Sequence, residues 1–486
     1  MHAPDVPVSA RVGLIARNHR NDGRVLRAPT STSTIIMKRY TTFFSRLKKA
    51  KSQQLTAISL FLAVAAQAQV PMPAPAQSKP IVLTGGTLHV GNGTVVPDAV
   101  VAFDKGRILY AGARSGYTPT ANAEMIDVKG QEIYPGLILP NTTLGLTEVE
   151  SIRATVDERE VGELNPNVRS LIAYNTDSDV LPTVRTNGVL LAQITPRGGL
   201  LSGQSSVVQL DAWNWEDAAV RPDEGQHLVW PTSAPPRSFG GAAADPRAAE
   251  RREQARQKRL NELEQLFAEA STYRYLSTSH ATNLRLASLT GLFDGSKTLY
   301  IHADNGKEIL EAVRFAKRLG VQKVTVVGAR DAWMMLDFLK QNDVAVVLSR
   351  IHALPLRDGD DYDQAYKLPA TLQKAGIRYC LDYEGSMETA GSRNLAFVAG
   401  TAAGFGLTKE QALTAVTLSP AQILGLDKDY GSLETGKSAT LVVSRGDLLD
   451  MRTNNLTHAY IDGREFNRDN KQTYLGNKFA TKYGVQ

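Results

Sequence analysis

The chain has 486 residues, too many for one small domain and enough for a large α/β barrel with an accessory domain. Its apolar share of 42% and charged share of 21% are ordinary for a globular protein. The formal charge of +6 says little about partners, because much of the excess lies in an N-terminal segment expected to be removed, where Arg11, Arg17, Arg20, Arg24, Arg27, Lys38, Arg39, Arg46, Lys48 and Lys49 cluster.

From Met37 the sequence reads as an export signal. A basic stretch ends near Lys51, the apolar run LTAISLFLAVAA follows from Leu55, and Ala66-Gln67-Ala68 supplies small residues for cleavage before Gln69. The apolar run is too short to span a bilayer comfortably, so cleavage is preferred to a membrane anchor. Met37 is then the expected start, and the mature protein is expected to be exported, periplasmic or extracellular, with no stable membrane anchor. Residues 1–68 form this extension and signal. The only cysteine, Cys380, cannot form an internal disulfide, and its apolar setting in IRYCLD predicts a buried, inert thiol.

Residues 69–79 are rich in Pro and Ala and read as a linker. Residues 80–133 alternate β-rich runs with Gly91-Asn92-Gly93 and Asp104-Lys105-Gly106, which predicts a small antiparallel sheet. Residues 134–426 change to short apolar runs (VLLAQI, TLYIHA, KVTVVGA, VAVVLS, IRYCLD) interleaved with helical stretches such as NGKEILEAVRFAKRLG. That alternation predicts βαβ units and a (β/α)8 TIM-type barrel, with a doubly wound sheet as the alternative. Within it, a charged helical insertion is expected near 240–270. The mixed signs of PRAAERREQARQKRLNELEQL and its lack of aromatics predict a solvated helix, not a nucleic-acid surface. Residues 427–470 return to β character, with Asp462-Gly463 as a hairpin turn. Neither β segment has strands enough to stand alone, so the two are expected to pair into one small composite β-sandwich domain. Residues 471–486 read as a C-terminal tail. There is no glycine-rich phosphate loop, paired CxxC or GxSxG elbow.

Catalytic groups of a barrel sit at the C-terminal ends of its strands. His302 closes TLYIHA, although a lone histidine is more often structural. Asp304 and Asn305 read equally as caps of the next helix. Asp382 and Glu384 end the IRYCLD strand, as metal ligands or general bases in one reading and as a turn in the other. After VAVVLS comes a dense loop with His352, Arg357, Asp358, Asp360, Asp361 and Asp363, where His352 or Arg357 would hold an anionic group unless the loop is merely exposed. In PRGGLLSGQSS, Gly199 lets the backbone approach a ligand, with Gln204 beside it, or the glycines merely make turns.

Together, Pro-Gly-Leu-Ile introducing a strand, a strand ending His-Ala-Asp, and LTKEQALTAVTLSPAQILGLDKDYGSLETGKSATLVV near the C-terminus resemble the amidohydrolase superfamily, particularly its exported imidazolonepropionase-like branch. The resemblance runs from Pro80 to about Phe466 and is most specific over Ala412 to Val443. It implies a (β/α)8 barrel with a β-sandwich from both chain ends, and one or two divalent metals, often zinc, that activate water against an amide or related C–N bond. The family follows Pro-Gly-Leu-Ile with Asp-x-His-x-His. Here Leu139 stands for the aspartate, and Asn141 and Thr143 for the histidines.

Val327-Gly328 replaces the strand-six histidine, and no bridging-carbamate lysine is identifiable. His302 matches the strand-five histidine, and Glu384 falls where strand eight supplies its catalytic aspartate. His302 and Glu384 are therefore both the catalytic candidates and the remaining metal candidates, for one divalent ion, zinc first, held weakly or not at all.

Two readings follow. One retains hydrolysis of a C–N bond in a small molecule, with Glu384 as base, His302 as ligand or acid, and Gly199, Gln204, His352 and Arg357 around the substrate. The other is a non-catalytic ligand-binding protein or partner subunit of an intact paralogue. Neither involves nucleic acid, and the sequence does not choose between a homodimer and a heteromer with a paralogue.

Overall fold

A computed structural model describes residues 72–232, 246–275 and 281–485. The expected export signal and its cleavage site lie outside the described residues.

Sixteen strands fall into two sheets among the described residues. The first five are β1 (Ile81–His89), β2 (Val95–Asp104), β3 (Arg107–Ala113), β4 (Glu124–Asp127) and β5 (Glu132–Pro135). With β14 (Leu441–Ser444), β15 (Leu456–Ile461) and β16 (Arg464–Glu465) they make one mixed sheet of order β16-β15-β14-β5-β1-β2-β3, with β4 also on β1. The two chain ends meet where β5 pairs antiparallel with β14, Pro135 opposite Leu441. Two-residue turns supply the expected hairpins, with Lys105 and Gly106 both at positive φ between β2 and β3, and Asp462 and Gly463 between β15 and β16. Register breaks beside Gly86 bend β1. A core of Leu83, Leu88, Phe103, Ile133, Leu441 and Tyr460 fills one face.

The second sheet contains β6 (Leu137–Thr142), β7 (Val189–Ile194), β8 (Leu201–Gln209), β9 (Ala219–Val229), β10 (Thr298–Ala303), β11 (Lys323–Gly328), β12 (Ala345–Leu348) and β13 (Tyr379–Leu381), hydrogen-bonded in that order. It curls into a barrel. The gap between β6 and β13 is bridged by the backbone of 415–416, whose carbonyls accept from Ile138 (2.9 Å) and Leu381 (3.1 Å). Most strand residues are buried, because side chains face the barrel interior or the surrounding helices, and in β6 and β7 this produces near-continuous apolar runs in place of alternation.

One strand departs from a strict βα alternation. β8 runs antiparallel to both β7 and β9. Only six residues separate β7 from β8, too few for a crossover helix, so the chain returns as a hairpin. PRGGLLSGQSS is this return and the start of β8. Gly199 has φ of +67°, and a Cβ there would lie 2.7 Å from the Gly162 carbonyl oxygen, so the glycine serves backbone packing.

Three peripheral segments differ from their sequence reading. The charged segment becomes the helix Pro246–Tyr273, but Leu263, Phe267 and Ala270 are buried, so its second half is a packed barrel helix. The linker is docked at its end: Ala74 N–H donates to Asp211 (2.9 Å), and Gln77 accepts from Gly106 N–H (3.0 Å). The C-terminal tail forms a helix, Lys471–Tyr483, capped by Asn470 and tied down by Thr183 donating to Gln472 (2.6 Å).

Candidate functional site

The parallel strands place the C-terminal ends of β6, β7, β10 and β13 at one mouth. At the end of β6, Asn141 adopts φ of +46°, a conformation asparagine tolerates better than most residues. The bend turns both its carbonyl and its side-chain oxygen toward Arg197, which follows β7. Arg197 donates from Nη1 to Asn141 Oδ1 (2.6 Å) and from Nη2 to Asn141 O (2.8 Å). Nη2 also donates to Glu388 at 3.1 and 3.2 Å, and Glu384 Oε1 lies 4.0 Å away. With its oxygen committed to the guanidinium, the Asn141 amide nitrogen donates to Asp382 Oδ2 (2.8 Å). Thr143 N–H donates to Glu388 (2.8 Å).

The Arg197 side chain is 16% exposed. Burial works against its charge, but Glu388, Glu384 and Asp382 outweigh that and hold its pKa above the usual arginine range. Burial raises the pKa of Asp382 well above the normal carboxylate range, with Glu384 and Glu388 adding to the shift. Burial likewise raises Glu388, and Arg197 opposes it.

Beside this cluster, His302 Nε2 lies 2.9 Å from Nδ1 of His227, a β9 residue stacked on Tyr300. Burial lowers both histidines, His302 to about 4 and His227 well below 6.5, so both are neutral at pH 7. His227 Nε2 is buried without a partner. A buried orphan lone pair costs less than an orphan N–H, so the proton sits on His227 Nδ1 and is donated to His302 Nε2. The His302 proton is then on Nδ1, which faces Glu384 Oε1 at 4.0 Å. That separation is too long for a direct hydrogen bond and suits one bridging water.

His302 and Glu384 line a cavity of about 690 Å³ together with Trp230, Asp304, Arg330 and Arg350. Arg357 also reaches its wall, but its guanidinium is paired with Asp331 (2.6 Å) and Asp360 (3.2 Å). His352 is turned away, with Nε2 2.7 Å from Thr401 Oγ1, and is not among the cavity's lining residues. Neither Gly199 nor Gln204 lines it; Gln204 accepts from Lys297, which precedes β10. Asn305 caps the next helix by accepting from Lys307 N–H. Sequence reasoning singled out neither Arg197 nor His227. The only local hint of Arg197 was a cation between Pro196 and two glycines at a strand end, and His227 lies in a strand not anticipated.

The donor set does not fit a resident divalent metal. At the end of β6, Asn141 and Thr143 offer an amide and a hydroxyl, and at the end of β11 stand buried Val327 and a glycine. His302 has already committed Nε2, and Arg197 places a positive charge 4.0 Å from the same Glu384 oxygen. Among the described residues there is no group of three or more His, Cys, Asp or Glu able to hold a metal ion.

The architecture is the amidohydrolase fold, an eight-stranded barrel joined to a sheet made from both chain ends. It superposes on an amidohydrolase from Thermotoga maritima with a TM-score of 0.69 at 21% identity, covering 80% of this chain and all of that one. Molinate hydrolase shares the fold more loosely, with a TM-score of 0.50 at 16% identity over 81% of this chain and 95% of that one. Residues 258–474 match the amidohydrolase family in sequence. Over that stretch the chain is similar to the amidohydrolase family in sequence, and its fold is the one the Thermotoga maritima amidohydrolase has. An imidazolonepropionase of Acinetobacter baumannii is 32% identical over 111 residues, a stretch that takes in 22% of this chain and 28% of that relative's length.

Proposed function

We propose that the protein hydrolyses a C–N bond, an amide or cyclic amide, in a small molecule bound at the barrel mouth, without a resident metal ion. The observation that carries this reading is the convergence of His302 and Glu384, 4.0 Å apart, on the 690 Å³ cavity. Glu384 takes the proton from a water held between the two side chains as the water oxygen attacks the carbonyl carbon. The His302 Nδ1–H orients that water. When the tetrahedral intermediate collapses, the C–N electron pair leaves with nitrogen, and Glu384 returns its proton to the nitrogen. Without a metal to acidify the water, turnover is slow by the standard of the family. The signal-like segment from Met37 supports placing the reaction in the periplasm or at the cell exterior.

The experiment is a turnover screen of N-acyl amino acids and cyclic amides, with and without EDTA, on wild type and Glu384→Gln. Hydrolysis insensitive to EDTA and lost in Glu384→Gln is the expected result. Activity abolished by EDTA sinks the metal-free mechanism, and equal activity in the variant sinks the role of Glu384.

The extensive hydrogen bonding of Arg197 favours a second reading, in which the mouth binds a small molecule without turning it over and the chain serves as the partner of an intact paralogue. Absence of turnover across the screen, with co-purification of such a paralogue, would select it.

A further inference from the structure

We infer that Arg197 is a built-in replacement for the divalent cation: its guanidinium occupies the cation place of the mouth, and removing it turns the mouth into a metal site. Five oxygens surround the guanidinium. Asn141 Oδ1 and O, both Glu388 oxygens and Glu384 Oε1 lie between 2.6 and 4.0 Å from its terminal nitrogens. They come from three separate places in the chain, the end of β6, the loop after β13 and the short helix Glu388–Gly391, so the arrangement is tertiary and not a local turn.

All five neighbours are acceptors, and the Asn141 amide is oriented with its oxygen inward and its nitrogen toward Asp382, the orientation a bound cation imposes. Two carboxylates converging this closely need a positive charge between them. A metal supplies that charge only while it is bound, whereas a guanidinium tethered to β7 is always present, and it excludes a second cation by repulsion. The inference rests on the metal-free reading, but it concerns which cation the site holds and not whether turnover occurs.

The site left by Arg197→Gly is lined by oxygen donors and suits a hard cation, so Mn²⁺ is the probe. Calorimetric titration with MnCl₂ would compare the full-chain wild type, Arg197→Gly and Arg197→Lys. Arg197→Gly is expected to bind one Mn²⁺ at least about tenfold more tightly than wild type. Guanidinium at low millimolar concentration should compete with that Mn²⁺, because both enter the same space. Arg197→Lys keeps a cation in place and should behave as wild type.

Equal Mn²⁺ binding by wild type and Arg197→Gly, no binding by Arg197→Gly, or binding that guanidinium leaves unchanged would each overturn the inference. If Arg197→Gly folds only when Mn²⁺ or guanidinium is supplied, that rescue supports it, and failure of both to rescue overturns it. Loss of turnover in the substrate screen, by contrast, would defeat the proposed hydrolysis and leave this titration unaffected.

Discussion

Acidification should expose the buried histidine pair. In the folded protein His302 takes a proton only near pH 4, whereas in the unfolded chain it does so near 6.5. Between those values the unfolded state binds more protons, so stability falls as the pH drops through this window and the contribution is fully lost below about 4. The gap corresponds to about 3 kcal/mol at about 1.4 kcal/mol per pH unit. His227, also lowered by burial, acts in the same direction. Asp382 and Glu388 act oppositely: their raised pKa values mean that the native state gains protons first on acidification. The comparison that isolates His302 is therefore wild type against His302→Gln, by urea unfolding at pH 7 and at pH 4.5. Wild type should lose about 2 to 3 kcal/mol more than the variant over that interval. Parallel losses, within about 0.5 kcal/mol, would refute the assignment of His302 as a neutral buried imidazole.

Asp211 bonds Arg185, Arg464 and the Ala74 amide and is 3% exposed, so Asp211→Ala leaves two largely buried guanidiniums unpaired and should cost about 3 to 5 kcal/mol in urea unfolding. His89 sits between Glu410 (2.7 Å) and Glu132 (3.0 Å), which overcome the effect of burial and raise its pKa. That contribution is complete below pH 6.5 and lost as the pH rises through the raised value, so the destabilisation in His89→Phe, about 2 kcal/mol at pH 6, should shrink at pH 9. Cys380 is buried with its thiol pKa pushed well up by burial, so it should react with iodoacetamide only after unfolding; labelling of the native protein at a free-thiol rate would contradict this placement.

Much of the fold was legible because burial on both faces writes itself into composition. VLLAQI, TLYIHA, KVTVVG and AVVL are all barrel strands, and Asp462-Gly463 turns the hairpin that local conformational preference predicts. The strands β8 and β9 were harder to read. LSGQSSVVQ and AVRPDEGQHLV are rich in polar residues, and some of their polar side chains pair inside the barrel. Ser205 and Gln193 donate to Glu224 at 2.5 and 2.6 Å, and Tyr300 donates to its other oxygen at 2.9 Å. A pattern of apolar spacing carries no record of such pairing.

That Asn141 and Thr143 follow Pro-Gly-Leu-Ile, and that His302 closes an apolar run, can be read from the sequence alone. Local chemistry fixes which side chains ligate a metal well, and an amide and a hydroxyl do so poorly. What surrounds them was decided only in three dimensions. Arg197 is 56 residues from Asn141 and 191 from Glu388, and its own neighbourhood, a proline and two glycines, gives only a slight hint of a site residue. Closure of the barrel brings these strand ends together, and the charge balance among them exists only once it has closed.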